Sequence, residues 1–238
     1  KAQGVSVNTR FLYERCRQLG VVEQRIVYVP NGVDVARMPR VSDTMIHQLR
    51  DRLGLGDAPI IVYLGAMSTI AHGVDLLIDA FATVRHLLPQ ARLLMVGDGD
   101  DRVMLETHAR TLGINDAIRW VGRVAPNETA VYLASAQCSV DPVHDSPGAR
   151  ARSPLKIVES LAQGVPVVTS DVGDRSEMLG GGSAGLLVSP GNAQALALAL
   201  LRVLTEPELR ARLASGARER AAAYEWRRLM HPWLSMYA

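Results

Sequence analysis

The stretch Ser153–Val168, SPLKIVESLAQGVPVV, compresses a helix start, an apolar helix face and the beginning of a strand into one short run. Ser153 is expected as the N-cap and Pro154 at the first helical position, where its missing N–H costs nothing; the apolar residues that follow are spaced for one buried face. The spacing predicts a helix over 154–162, and the β-branched run after it predicts a strand over 165–169. Lys156 then falls in the first helical turn. Among 26 Lys and Arg residues only Lys1 and Lys156 are lysine. A cation in that turn opposes the helix dipole, which favours anions there by about 0.3–1 kcal/mol. An anion held jointly by free backbone N–H groups and the ammonium makes the placement sensible, and phosphate is the obvious anion.

Outward from this unit, short aliphatic runs alternate with segments of helical period, the pattern of βαβ units and a parallel sheet. Strands are expected at 60–64, 92–96, 118–121, 138–143, 165–169 and 186–188. Helices are expected at 74–88, 102–112, 128–134, 154–162, 176–179 and 193–204, then at 206–222 and 226–236. Leu76, Leu77, Ala80, Phe81, Val84 and Leu88 recur at three- and four-residue steps and mark a core face. Residues before 38 read differently, with a helix over 8–19, a strand over 25–29 and the turn-rich junction Pro30-Asn31-Gly32-Val33-Asp34. A further helix is expected from Ser42–Asp43 to Leu53.

Composition excludes several classes. The chain has 238 residues, 48% hydrophobic and 21% charged, an ordinary globular balance. No apolar run approaches the ~20 residues a bilayer crossing needs. A net charge of +2 implies no nucleic acid partner. Cys16 and Cys138 have no metal-ligand spacing, and with no signal-like segment they point to free thiols and a cytoplasmic setting. The chain opens at Lys1 on a helix-like segment, so it is expected to be part of something longer.

In an open parallel sheet, ligands bind beyond the carboxyl ends of the strands. Four loops there carry candidate residues. Gly65 to Gly73 includes His72, either a cap-region residue or a ligand contact. Gly97-Asp98-Gly99 is a plain turn or a site. Gly122-Arg123-Val124 follows a short strand. The segment 144–152 carries His144, Asp145, Arg150 and Arg152, and its arginines read equally as a solvated loop or as phosphate ligands. Lys156 and Glu159 share a helix face. They are a surface ion pair, or else Lys156 takes a phosphate while Glu159 accepts from vicinal ribose hydroxyls. No G-x-G-x-x-G follows the first strand, which argues against a nicotinamide enzyme.

The order of motifs resembles the donor-binding half of the group 1 (family 4-like) retaining glycosyltransferases, which have two facing Rossmann-like domains, the GT-B architecture. The resemblance rests on Val29 to Asp34, on Tyr63-Leu64-Gly65 leading to His72-Gly73-Val74-Asp75, on Val96 to Gly99, and on Trp120 to Val124. Ser153–Val168 is its most specific part, continued by Ser170 to Gly173, Gly185 to Val188 and Tyr224-Glu225-Trp226. It implies an α/β fold with a Rossmann-like parallel sheet flanked by helices. Residues 1–37 would be a remnant of the preceding domain and a linker, 38–225 the donor-binding domain, and 226–238 a helix crossing back toward a missing N-terminal domain.

The activity so implied is hexosyltransferase-type transfer with retention from a nucleotide-diphosphate sugar of unknown base, with no metal and no cofactor. Lys156 and Glu159 are the expected catalytic residues. Gly65, His72, Arg150, Arg152, Leu155 and Lys156 would hold the diphosphate, Glu159 the ribose, Gly97, Arg123 and Val124 the base, and Asp145 and His144 the sugar. The missing domain would bind the acceptor and is the only part to which membrane association is open. Alone, the chain is expected to bind donor weakly and transfer little sugar.

The sequence also departs from the family pattern. Ala151 stands where the first of two paired glutamates belongs, so Asp145 is the expected substitute. Ala66 and His72 stand where an arginine and a lysine belong. Two rivals follow: a nucleotide-sugar epimerase on the same plan, or a non-catalytic binding module encouraged by Ala66 and Ala151.

Overall fold

Parallel strands buried on both faces organise the molecule. The computed structural model describes residues 4–234. In chain order it has β1 (Val5–Val7), α1 (Arg10–Gln18), β2 (Ile26–Tyr28), α2 (Asp43–Arg52), β3 (Ile60–Leu64), α3 (Thr69–His72), α4 (Val74–Leu87) and β4 (Arg92–Val96). It continues with α5 (Arg102–Thr111), β5 (Ile118–Gly122), α6 (Thr129–Ala134), β6 (Cys138–Asp141), α7 (Pro147–Arg150), α8 (Leu155–Ala162), β7 (Val167–Ser170) and α9 (Arg175–Met178). It ends with β8 (Gly185–Val188), α10 (Ala193–Thr205), α11 (Pro207–Ala221), α12 (Trp226–Leu229) and α13 (His231–Leu234).

Six strands form one parallel sheet in the order β5-β4-β3-β6-β7-β8, and β1 pairs with β2 in a separate two-stranded parallel sheet. The alternation of side chains across the large sheet explains its two cores. Ile61, Tyr63, Leu93, Met95, Cys138, Val140 and Val168 face a cluster built on α4, α5 and α10. Ile60, Val62, Leu94 and Val96 face a second cluster with Leu49 of α2 and Leu133 of α6. Ile157, Val158 and Leu161 of α8 pack with Val167, Met178 and Ala217 in a third. The buried stripe of α4, with Leu77, Ile78, Phe81 and Val84 at 0% exposure, gives each of those side chains about 1.5–3 kcal/mol relative to exposure.

The sheet runs outward from β3 to β4 and β5 on one side, and β6 opens the other side against β3. The chain therefore reverses direction across the sheet between β3 and β6, which leaves a crevice beyond their carboxyl ends. Leu64 and Gly65 close one side of that crevice and Asp141 the other.

Three local expectations are corrected. Helix α8 begins at Leu155 with Pro154 as its cap and no capping side chain. Ser153 instead bonds to the linker: its Oγ accepts from the Asn31 amide at 3.0 Å, and its carbonyl accepts from Asn31 Nδ2 at 2.6 Å. The 65–73 loop contains the single turn α3, capped by Ser68 and ended by Gly73 at φ +56°. The helix expected over 226–236 is two short turns, α12 and α13, with its last residues outside the described range. Pro232 has no N–H to continue a helix and is tolerated only near the start of α13.

Candidate functional site

A cavity of about 360 Å³ lies at the crevice, lined by Gly65, His72, Asp141, Arg152, Pro154, Leu155, Lys156, Glu159 and Arg175 among others. Each side chain arrives there for a local reason. Helix α8 is pinned to β6 by the Ser139 hydroxyl, which donates to Ser160 Oγ at 2.7 Å, while Ser160 donates to the Lys156 carbonyl at 2.7 Å. This fixes the start of α8, and so Lys156, over the end of β6. The N-terminal amides of α8 have no side-chain cap, so the positive end of its dipole faces the cavity without an internal partner.

Lys156 is not a surface residue. Its side chain keeps 12% of its exposure, and Nζ lies 3.1 Å from Asp141 Oδ1 and 4.4 Å from the centre of the Tyr63 ring. Of the two readings of Lys156 and Glu159, the surface ion pair is not formed, since Lys156 pairs with Asp141 instead. Three buried side-chain polar atoms among the described residues have no hydrogen-bond partner, and Lys156 Nζ is one of them. The Asp141 contact is thus an ion pair by distance that falls short of ideal hydrogen-bond geometry. Burial would lower the Lys156 pKa, but Asp141 and Tyr63 together outweigh it and the net shift is upward.

Asp141 is 1% exposed and is the hub. Its Oδ2 accepts from Arg175 Nε at 2.8 Å. Burial alone would raise this carboxyl, yet Lys156 and Arg175 overcome that and hold it at about 2. Arg175, 1% exposed, also donates to the carbonyls of Ala149 and Val172 at 3.1 and 3.0 Å. Sequence reasoning missed Asp141, Arg175 and Tyr63. The available signal was an aspartate closing a short strand of small and apolar residues, a place where burial demands a cationic partner.

Arg152 and the neutral His72 ring line the cavity beside Lys156. Arg152 Nη1 donates to the Ala71 carbonyl and lies 3.2 Å from His72 Nδ1. Burial first, then Lys156 and Arg152, pushes the His72 ring down to about 4. Helix α3 holds His72 in place through Asp101, whose Oδ2 accepts from the Thr69 amide at 2.7 Å and its hydroxyl at 2.9 Å. Glu159 is half-buried, and burial raises its carboxyl.

The structure therefore brings Gly65, His72, Arg152, Leu155, Lys156 and Glu159 together. It leaves the others outside the cavity lining. Arg150 forms a bidentate pair with Asp145, Nε and Nη2 lying 2.7 and 2.6 Å from its carboxylate, and both are exposed. His144 faces Asp75 at 3.4 Å. Arg123 is exposed, and Val124 packs against the α2 and α6 cluster. Gly97 lies beneath Gly65, where a Cβ would collide with the Gly65 carbonyl. The Gly97-Asp98-Gly99 turn thus has a packing role: Gly65 N donates to Val96 O at 2.9 Å and Met67 N to Asp98 O at 3.0 Å. No helix among the described residues is long and apolar enough to cross a membrane.

Comparison with known proteins agrees with this architecture. The family model described as Glycosyl transferases group 1 matches residues 46–220. The phosphatidyl-myo-inositol mannosyltransferase of Mycobacterium leprae is 30% identical over 211 residues, covering 88% of this chain and 52% of that protein. Glycogen synthase of Mycobacterium tuberculosis is 30% identical over 202 residues, covering 84% and 45%. The chain thus spans about half the length of the curated relatives it matches. Among solved structures, Anabaena Alr3699/HepE in complex with UDP and glucose superposes with a TM-score of 0.84 at 23% identity, over 99% of this chain and 62% of that one. Sucrose-phosphate synthase from Thermosynechococcus elongatus gives 0.81 at 26% identity, over 100% and 58%. With its six-stranded parallel sheet and a family match over most of its length, the chain belongs to the group 1 glycosyl transferases.

Proposed function

We propose that this chain is the donor-binding half of a retaining glycosyltransferase that takes a nucleotide-diphosphate sugar. One observation carries the reading: a buried ammonium without a hydrogen-bond partner beside an uncapped helix N-terminus, both at the cavity. A diphosphate supplies what each lacks. Its oxygens accept from the α8 amides, from Lys156 Nζ and from Arg152, charge-assisted bonds of the stronger kind. Glu159 lies one helical turn from Lys156 and accepts from the ribose hydroxyls. The base extends along the carboxyl ends of β4 and β5 toward Arg123. Asp145 and His144, held by Arg150 and Asp75, are assigned no sugar contact.

Fixed cations and a helix dipole stabilise the diphosphate as the glycosyl bond loosens, so the transfer runs without a metal. The acceptor binds a domain outside this chain, on the cytoplasmic side. UDP bound in the Anabaena neighbour supports a uridine nucleotide as the first probe.

Thermal shift against UDP, GDP and ADP tests the reading, since a ligand at about 100 times its dissociation constant stabilises by about 2.7 kcal/mol. Lys156→Ala and Glu159→Gln are each expected to weaken the nucleotide that binds by about 1–3 kcal/mol. Equal response of wild type and both variants, or no response to any nucleoside diphosphate beyond that to inorganic phosphate, would refute the assignment.

A further inference from the structure

One group in the cavity has a charge that its surroundings can change. His72 Nδ1 lies 3.2 Å from Arg152 Nη1. A guanidinium only donates, so in this contact Nδ1 presents its lone pair and the ring proton sits on Nε2. The groups facing the ring are Lys156 from α8, Arg152 from the segment before it, Arg175 from α9 and Asp141 from β6. Other charges around α3 do not face the ring: Asp101 accepts from Thr69, Arg150 of α7 pairs with Asp145, and Asp75 of α4 lies opposite His144. Burial first, and then three cations against one carboxylate, keep the ring neutral at a pKa of about 4. A proton can enter Nδ1 only when Arg152 leaves it.

Resting on the diphosphate reading above, we propose that His72 is a proton-coupled phosphate ligand. An incoming diphosphate draws Arg152 off Nδ1, a solvent proton takes the freed lone pair, and the imidazolium joins Lys156 and Arg152 around the anion. One N–H bond forms, its proton comes from solvent, and it returns there on release. The diphosphate gains a unit of negative charge as the glycosyl bond breaks. Protonated His72 therefore stabilises the departing diphosphate more than the bound donor, which is the differential that accelerates a reaction.

The test is isothermal titration calorimetry of the chain with UDP, and then GDP, in buffers of differing ionisation enthalpy between about pH 5 and 7, the interval over which an anion can raise the ring by about 1–3 units. The quantity read is protons taken up per nucleotide. Wild type is expected to take up more than His72→Gln, with the excess approaching one proton near the acid end. The titration of the phosphate itself is common to both proteins and cancels in the difference. Equal uptake by the two proteins, both binding UDP or GDP, overturns the proposal.

Should His72→Gln not fold, the unsubstituted protein still decides: imidazole NMR must show a histidine changing from neutral to charged on adding nucleotide at constant pH, and no such change overturns it. Failure of UDP, GDP and ADP alike to bind wild type refutes the donor reading itself, and this inference with it. The two failures are therefore distinguishable.

Discussion

At the residue scale, Asp141 holds two buried cations with one carboxylate, Lys156 on one oxygen and Arg175 on the other. Removing that charge strands both cations, and breaking a buried pair in this way costs about 3–5 kcal/mol. Asp141→Asn should lower the urea unfolding free energy by that order; a loss below about 1 kcal/mol, the worth of an exposed pair, would contradict the burial argument. The pH dependence has a definite sign. The folded pKa of about 2 lies below the unfolded value of about 3.9. Asp141 thus contributes its full stability above about pH 4, and loses it as pH falls through 2. Acid unfolding of the Asn variant should lack that part of the slope. Lys156 was legible in the sequence because a lone lysine in a first helical turn conflicts with the dipole. Asp141 and Arg175 were not, since they meet only after β6 and α9 have been packed together, and no periodicity records that meeting.

At the scale of elements, the β3–α3 loop rests on the β4–α5 loop, backbone against backbone. Gly97 at φ +131° and the absence of a Cβ make the approach possible. Gly97→Ala would combine an unfavourable backbone region with a clash against Gly65, and is expected to cost about 1–3 kcal/mol or more. A melting temperature within error of wild type would show that the loops can separate freely. Gly65→Ala is strained as well, because Gly65 lies at φ +148° and its Cβ would meet the buried Lys156 Nζ at 3.1 Å. The strands of the large sheet were legible because apolar runs bounded by turn residues survive into the fold nearly unshifted, whereas β1 was not foreseen. Helices α3 and α7 were hidden inside loop-like sequence, although α9, equally short, was expected at 176–179. The start of α8 was misplaced by the same ambiguity: Ser153 has the chemistry of a cap, but Asn31 competes for it.

For the whole molecule, the segment before β3 and the end of the chain meet in one seam. Val33 N donates to Tyr224 O at 2.8 Å, Trp226 N donates to Val33 O at 3.1 Å, and Val35 N donates to Glu225 Oε2 at 2.9 Å. Gly32 has no room for a Cβ there, with Leu229 Cδ1 at 2.7 Å and Tyr224 O at 2.8 Å from where it would stand. The parallel sheet and its order of elements were readable from the alternation of runs. This seam was not, because it joins residues far apart in the chain largely through backbone atoms, which carry no residue code. If the seam and the cavity are one cooperative unit, UDP should slow amide exchange at Val33 and Trp226 as well as at Leu155 and Lys156; protection confined to the latter pair would show them independent.

The Asn31 clamp on Ser153 turns the linker into a strut braced against the mouth of the cavity. Whatever rotates about residues 30–33 must either carry the first turn of α8 with it or snap two hydrogen bonds at 2.6 and 3.0 Å. Grip on the donor and the swing of any attached body would then share a single mechanical joint, one asparagine wide.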